Sequence, residues 1–229
     1  MAEFSTLVDE LSADDNVAGL ILGGSRGRGV YVREESDWDL YAVLHDSADL
    51  AEYATRFPSR HGDRVEVILR SRSGLEGEPA WNRYTFFHVE PLLDRSDGWL
   101  TDTLRALTTV DPASAAEPLD GYINLYVRAL KGTDESGRMF DAAESVWWFL
   151  EFVFAVHGRL RPYNKWLRWD LEHHPLTWND LPRLERIVRS GELADQQALF
   201  RGAEALARER YLGAVIDSWE PDVARLRGD

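Results

Sequence analysis

The feature that most constrains this chain is a short apolar run at residues 17–22, Val-Ala-Gly-Leu-Ile-Leu, which stops at Gly23-Gly24. Six apolar residues bounded by glycine are too few for a stable helix and suit a buried strand. Such a strand needs partners along its edges and layers over its faces, so it commits the chain to a sheet with covering elements. Residues 37–44, Asp-Trp-Asp-Leu-Tyr-Ala-Val-Leu, read as a second strand, 64–69 as a third and 83–93 as a fourth. Helical spacing appears at 4–11, at 48–57, where Pro58 stops it, and at 97–108. Residues 25–36, rich in glycine and arginine, read as a loop.

The pattern changes near residue 110. Residues 111–118 hold two prolines and several small residues and read as a linker. Beyond them come helical stretches at 121–131, 138–157, 163–173, 180–190 and 193–223, the last with a break. The expected fold class is α+β: a mixed-sheet domain with flanking helices over 1–110, followed by a C-terminal helical bundle over 119–229. With 44% apolar residues in 229, the chain can fill two cores.

Charge narrows the partners. Forty acids against 26 bases give a net charge of −14, which argues against nucleic acid and anionic membrane surfaces and leans toward a cationic small molecule. There is no cysteine, so disulfides, zinc ribbons and thiol nucleophiles are excluded. The most apolar stretch, 145–158, is too short to cross a bilayer and contains Glu151. The first ten residues are acidic and lack a signal-peptide core, so a cytoplasmic protein is expected. Lys131 and Lys165 are the only lysines, and the six histidines show no metal-ligand spacing.

The chemistry concentrates in residues 22–44. Gly24-Ser25 directly follows a strand, where glycine lets the backbone approach a phosphate and the serine hydroxyl and nearby amides can donate to it. Arg28 adds a cation close by, whereas Arg26 reads more simply as a loop residue facing water. Asp37 and Asp39 are two apart on an expected strand, so period two puts both carboxylates on one face and turns Trp38 and Leu40 to the other. Two adjacent acids repel unless a cation lies between them, and Mg²⁺ takes one or two carboxylates and completes its shell with phosphate oxygens and water. Glu66, on a later strand, would make a third acid and a two-metal site. A phosphate loop leading into paired carboxylates describes a site for a metal-bound nucleoside triphosphate.

This arrangement, a Gly24-Ser25 turn, an 11-residue gap, Asp37-x-Asp39 and then Glu66, resembles the nucleotidyltransferase superfamily. Gly24-Ser-Arg-Gly-Arg28, Arg64-Val-Glu-Val67 and the segment 86–100 are similar to kanamycin-type aminoglycoside nucleotidyltransferases. The resemblance implies a nucleotidyltransferase mixed-sheet domain ahead of the helical one. It implies magnesium on Asp37, Asp39 and Glu66, with Gly24, Ser25 and Arg28 at the triphosphate. It also implies transfer of AMP from ATP, or of another nucleoside monophosphate, to a hydroxyl of a small acceptor such as an aminoglycoside, with a role in antibiotic resistance. That family carries a glutamate base four residues before a phosphate-binding lysine. Lys131 fits the lysine, but position 127 is valine. Arg161-Pro-Tyr-Asn-Lys165-Trp-Leu is similar to a segment of related bacterial nucleotidyltransferases, making Lys165 a second phosphate candidate. Glu151, inside an apolar helix, and Glu90 are outsiders for the base, with pairing to an arginine the simpler expectation for Glu151. Transfer of AMP onto a protein, as in antitoxin-like enzymes, and non-catalytic nucleotide binding remain alternatives.

Overall fold

A computed structural model describes residues 2–61, 64–178 and 180–228. The chain divides into two compact units, Met1–Thr108 and Thr109–Asp229.

The first unit follows the period-two logic of its strands. Helix α1 (Ala2–Ser12) leads into β1 (Val17–Leu22), a five-residue helix α2 (Gly24–Arg28) and β2 (Trp38–Leu44). After α3 (Leu50–Arg56) come β3 (Arg60–His61), β4 (Val65–Ser71) and α4 (Arg72–Glu76). A 3-10 turn (Ala80–Phe86), β5 (Pro91–Asp94) and α5 (Trp99–Thr108) complete it. The sheet runs β3-β4-β2-β1-β5, with β2 and β4 parallel and the other pairs antiparallel. Alternate residues of β2 serve opposite cores. Leu40, Ala42 and Leu44 pack with Leu7 and Leu11 of α1 and Tyr53 of α3. Tyr41 and Val43 pack with Leu75 of α4, Phe86 of the turn and Leu100 of α5. Each fully buried side chain of this kind contributes about 1.5–3 kcal/mol, so both faces hold the sheet firmly.

Three local expectations are corrected. The strand expected at 83–93 is a 3-10 turn followed, after a bend, by the four-residue β5. The glycine-rich loop begins as helix α2, and β2 starts at Trp38, leaving Asp37 just outside it. The presumed linker at 111–118 is a 3-10 turn (Pro112–Ala115) running straight into α6 (Ala116–Lys131). Its prolines fall at first-turn positions, where a missing N–H removes no helical bond.

The second unit is helical, continuing with α7 (Glu135–Val156), α8 (Asn164–His173), α9 (Leu181–Ser190), α10 (Leu193–Glu209), α11 (Gly213–Asp217) and α12 (Asp222–Arg227). Its centre is the α6–α7 seam, where Tyr122 meets Phe149 edge-on at 5.4 Å and Phe152, Phe154 and Phe200 are fully buried. Among the described residues, no helix is long and apolar enough to cross a membrane.

Candidate functional site

The two ends of the glycine–aspartate motif meet in the first unit. β1 ends at Leu22, and the Gly23 N–H still donates to the Asp39 carbonyl at 2.8 Å, which keeps the turn pinned to β2. Gly24 then adopts φ +61 and opens α2. Its Cα faces the Asp39 carboxylate so closely that an added Cβ would lie 2.2 Å from Oδ2. At Gly27 a Cβ would lie 1.8 Å from the Leu22 carbonyl oxygen, so the helix folds directly back on the strand that precedes it. These two glycines are therefore required by close approach. Ser25 sits in the first turn, half-buried, beside that contact.

Asp39 and Glu66 are direct register partners across the parallel β2–β4 pair. Registered neighbours stand about 4.8 Å apart and point to the same face, so the two carboxyl groups are side by side. That face is the one carrying Tyr41, away from Trp38, which stacks on Phe4 at 4.2 Å on the α1 side. Asp39 is half-buried and Glu66 exposed. Asp37 is exposed and lies outside the strand. Among the described residues, no three His, Asp or Glu side chains gather closely enough to hold a metal ion. Asp37 directly precedes the β2–β4 register, which begins at Trp38 and Val65. The Asp39–Glu66 pair by itself fits magnesium, which accepts one or two carboxylates alongside phosphate oxygens and water.

The arginines of the turn hold the local fold. Arg28 Nε donates to the Phe87 carbonyl at 2.8 Å, Nη2 donates to the Tyr84 carbonyl, and the guanidinium lies over the Tyr84 ring. Arg26 donates to the Ser36 carbonyl at 2.9 Å and covers the Trp38 ring, clasping the following loop.

Sequence reasoning missed a polar network beside the pair. Glu78 is 1% exposed, ion-paired to Arg70 Nε at 2.8 Å and hydrogen-bonded by Asn82 Nδ2. Burial pushes the Glu78 carboxyl up, but the hydrogen bonds from Arg70 and Asn82 outweigh it and hold the group below its ordinary range. Asn82 also reaches the Tyr41 hydroxyl at 3.5 Å. Burial first, and the nearby Glu78 and Asp39 charges after it, raise the Tyr41 hydroxyl. No periodicity announces such a network. Arg60, which stands opposite Glu66 on β3, was also missed. A strand of two residues, Arg60 and His61, carries no period-two pattern that could have announced it.

The other candidates lie apart in sequence. In the second unit, Lys131 ends α6 and pairs with Asp222 of α12 at 2.6 Å. Lys165 is exposed in the first turn of α8, its Nζ 5.5 Å from the Trp166 ring centroid. Glu151 faces Arg161 at 3.9 Å, and burial raises its carboxyl while the Arg161 charge opposes the shift. Glu90, in the first unit, is exposed just before β5.

No family model and no curated protein sequence matches the chain. Its fold is similar to the crystal structure of a nucleotidyltransferase-like protein from Exiguobacterium sibiricum 255-15, at 15% identity and a TM-score of 0.46, covering 98% of this chain and 77% of that one. At that level the likeness carries no functional argument, and function has to be read from this chain's own side chains.

Proposed function

We propose that the chain is a magnesium-dependent nucleotidyltransferase that moves a nucleoside monophosphate, AMP from ATP, to a hydroxyl of a small acceptor and releases pyrophosphate. The single observation that supports this reading is the contact between the Gly24-Ser25 turn and the Asp39 carboxylate, with Glu66 in register beside it. A phosphate lying on that turn would meet two carboxylates at once, an arrangement favourable only with a cation between them.

Asp39 and Glu66 would hold magnesium, with Asp37 at the rim. Bound there, the ion would neutralise phosphate charge and favour in-line attack at the α-phosphorus. The Ser25 hydroxyl and the turn amides donate to phosphate oxygens. Arg28 keeps the 84–87 carbonyls in place against the turn, whereas Lys131 and Lys165 belong to the second unit. The acceptor oxygen bonds to the α-phosphorus as the bond to the bridging oxygen breaks. Pyrophosphate leaves with that electron pair, and the hydroxyl proton passes to solvent. A net charge of −14 favours a cationic acceptor such as an aminoglycoside, and with it a resistance role in the cytoplasm.

The test is pyrophosphate release from each of the four nucleoside triphosphates with magnesium, across aminoglycosides, lincosamides and simple polyols. Acceptor-dependent release that disappears in Asp39→Asn is expected. Val127, where the resembled family carries its glutamate base, favours one second reading, non-catalytic nucleotide binding. Magnesium–ATP binding with no release for any acceptor would establish that reading instead.

A further inference from the structure

A groove of about 720 Å³ lies within the helical unit, between α7, α8 and α9, and its lining does not include the Gly24–Asp39–Glu66 site or either lysine. Its walls are apolar: Trp147 and Leu150 from α7, Leu167 from α8, Leu184 and Val188 from α9. Trp147 and Val188, which both line the groove, are about half exposed and leave apolar surface facing water.

At the base of this groove is Arg161, whose side chain is only 4% exposed. One face of its guanidinium is covered by the Trp147 ring, 3.5 Å from Cζ to the centroid. Nη2 donates to Asn164 Oδ1 at 2.7 Å. The nearest acid is Glu151, whose Oε1 is 3.9 Å from Nη1, too far for a hydrogen bond. Nε is buried and has no hydrogen-bond partner. A buried guanidinium normally has its donors filled and a carboxylate in forked contact, because desolvating the charge is costly otherwise. The under-compensation shows in its acidity: burial pulls Arg161 down to about 10, with only the Glu151 charge opposing. Two further arginines, Arg168 and Arg189, stand at the rim. Arg168 is neutralised by Glu185 at 2.7 Å, so the groove as a whole remains positive.

We propose that this groove binds a small ring compound bearing a single carboxylate, its ring against Trp147, Leu184 and Val188 and its carboxylate on Arg161. The volume is that of a pocket for one such molecule. A planar carboxylate matches the guanidinium edge that Nε and Nη2 present, while Trp147 keeps its place on the guanidinium face. A phosphate would bring about two negative charges next to Glu151, which favours the monoanion. A neutral ring would leave the guanidinium as under-compensated as before.

The experiment is calorimetry of the full chain with 2-naphthoate, 2-naphthylmethanol and 2-naphthyl phosphate. Naphthoate is expected to bind at least tenfold more tightly than the alcohol and more tightly than the phosphate. Arg161→Met removes the charge and is expected to abolish the preference for the acid. Because that residue is buried, Val188→Glu serves as the second variant: it sits at the exposed rim, should keep the native circular dichroism, and should weaken naphthoate at least tenfold by placing a like charge beside the ligand. No detectable naphthoate binding, equal affinity for acid and alcohol, tighter binding of the phosphate, or unchanged affinity in Val188→Glu would each overturn the assignment.

Discussion

Replacing Gly24 by alanine perturbs the proposed site through its backbone and at its closest contact. Two costs can be worked from the structure. A non-glycine residue at φ +61 costs about 1–2 kcal/mol, partly offset by about 0.4–1 kcal/mol from the stiffer unfolded chain. The new Cβ would in addition lie 2.2 Å from Asp39 Oδ2, more than 1 Å inside ordinary contact, and overpacking of that kind costs about 1–3 kcal/mol. Gly29 is the internal control, since it has φ +68 and nothing within 4 Å of an added Cβ. Gly29→Ala should therefore cost about 0.5–1 kcal/mol and Gly24→Ala about 1.5–4 kcal/mol. For a chain of this size that is a fall in Tm of about 1–4 °C against about 3–16 °C. The assay is thermal unfolding of both variants together with calorimetry of magnesium–ATP. Gly24→Ala should also lose nucleotide affinity as the Asp39 carboxylate is displaced, while Gly29→Ala keeps it. Equal Tm values and equal affinities in the two variants would refute the contact on which the site is built.

Three further outcomes are expected. Glu78→Gln should cost about 2 kcal/mol, less than a fully buried pair because Arg70 can partly rehydrate. The Glu78 carboxyl lies below its ordinary value of 4.5 in the folded chain, so its contribution is full above that value and is lost as pH falls through the folded one. An acid titration followed by circular dichroism should show that acid-sensitive component missing in Glu78→Gln, and identical curves would contradict it. Asp170, 0% exposed and ion-paired to Arg159 between α8 and the chain that enters it, should cost about 3–5 kcal/mol when changed to alanine, read from denaturant midpoints. Lys131→Met removes a half-exposed pair with Asp222 and should cost less than about 1 kcal/mol. A tenfold loss of magnesium–ATP affinity in that variant would support the phosphate role, and unchanged affinity would assign Lys131 to the helix pair alone.

What could be read from the sequence was what local pattern controls. The run at 17–22 coincides with β1 because six apolar residues stopped by two glycines leave little choice. The helices of the second unit follow their apolar spacing to within a few residues, and α7 is buried on most sides as its composition implies. The segment 83–93 was misread because Tyr84, Phe86 and Phe87 carry strand propensity. What decides it is a residue more than fifty positions away: Arg28 takes the carbonyls of Tyr84 and Phe87, and Arg83 takes that of Glu78, which fixes a 3-10 turn. The same distance effect hid α2, whose glycines look like a loop until Gly27 is seen packed on the Leu22 carbonyl. At the candidate site, period two put Asp39 on the face where it stands in register with Glu66, and Asp37 lies just before that pairing begins. The Glu78–Arg70–Asn82 network joins β4 to the turn that follows α4, and such side-chain pairing leaves no periodic trace.

Calorimetric titration of ATP, with and without magnesium, into the wild-type chain and into Asp39→Asn tests the central claim most directly. Binding that requires magnesium and falls at least tenfold in Asp39→Asn, while that variant keeps its Tm, is the predicted result. ATP binding that is indifferent both to magnesium and to the loss of the Asp39 charge would contradict the account.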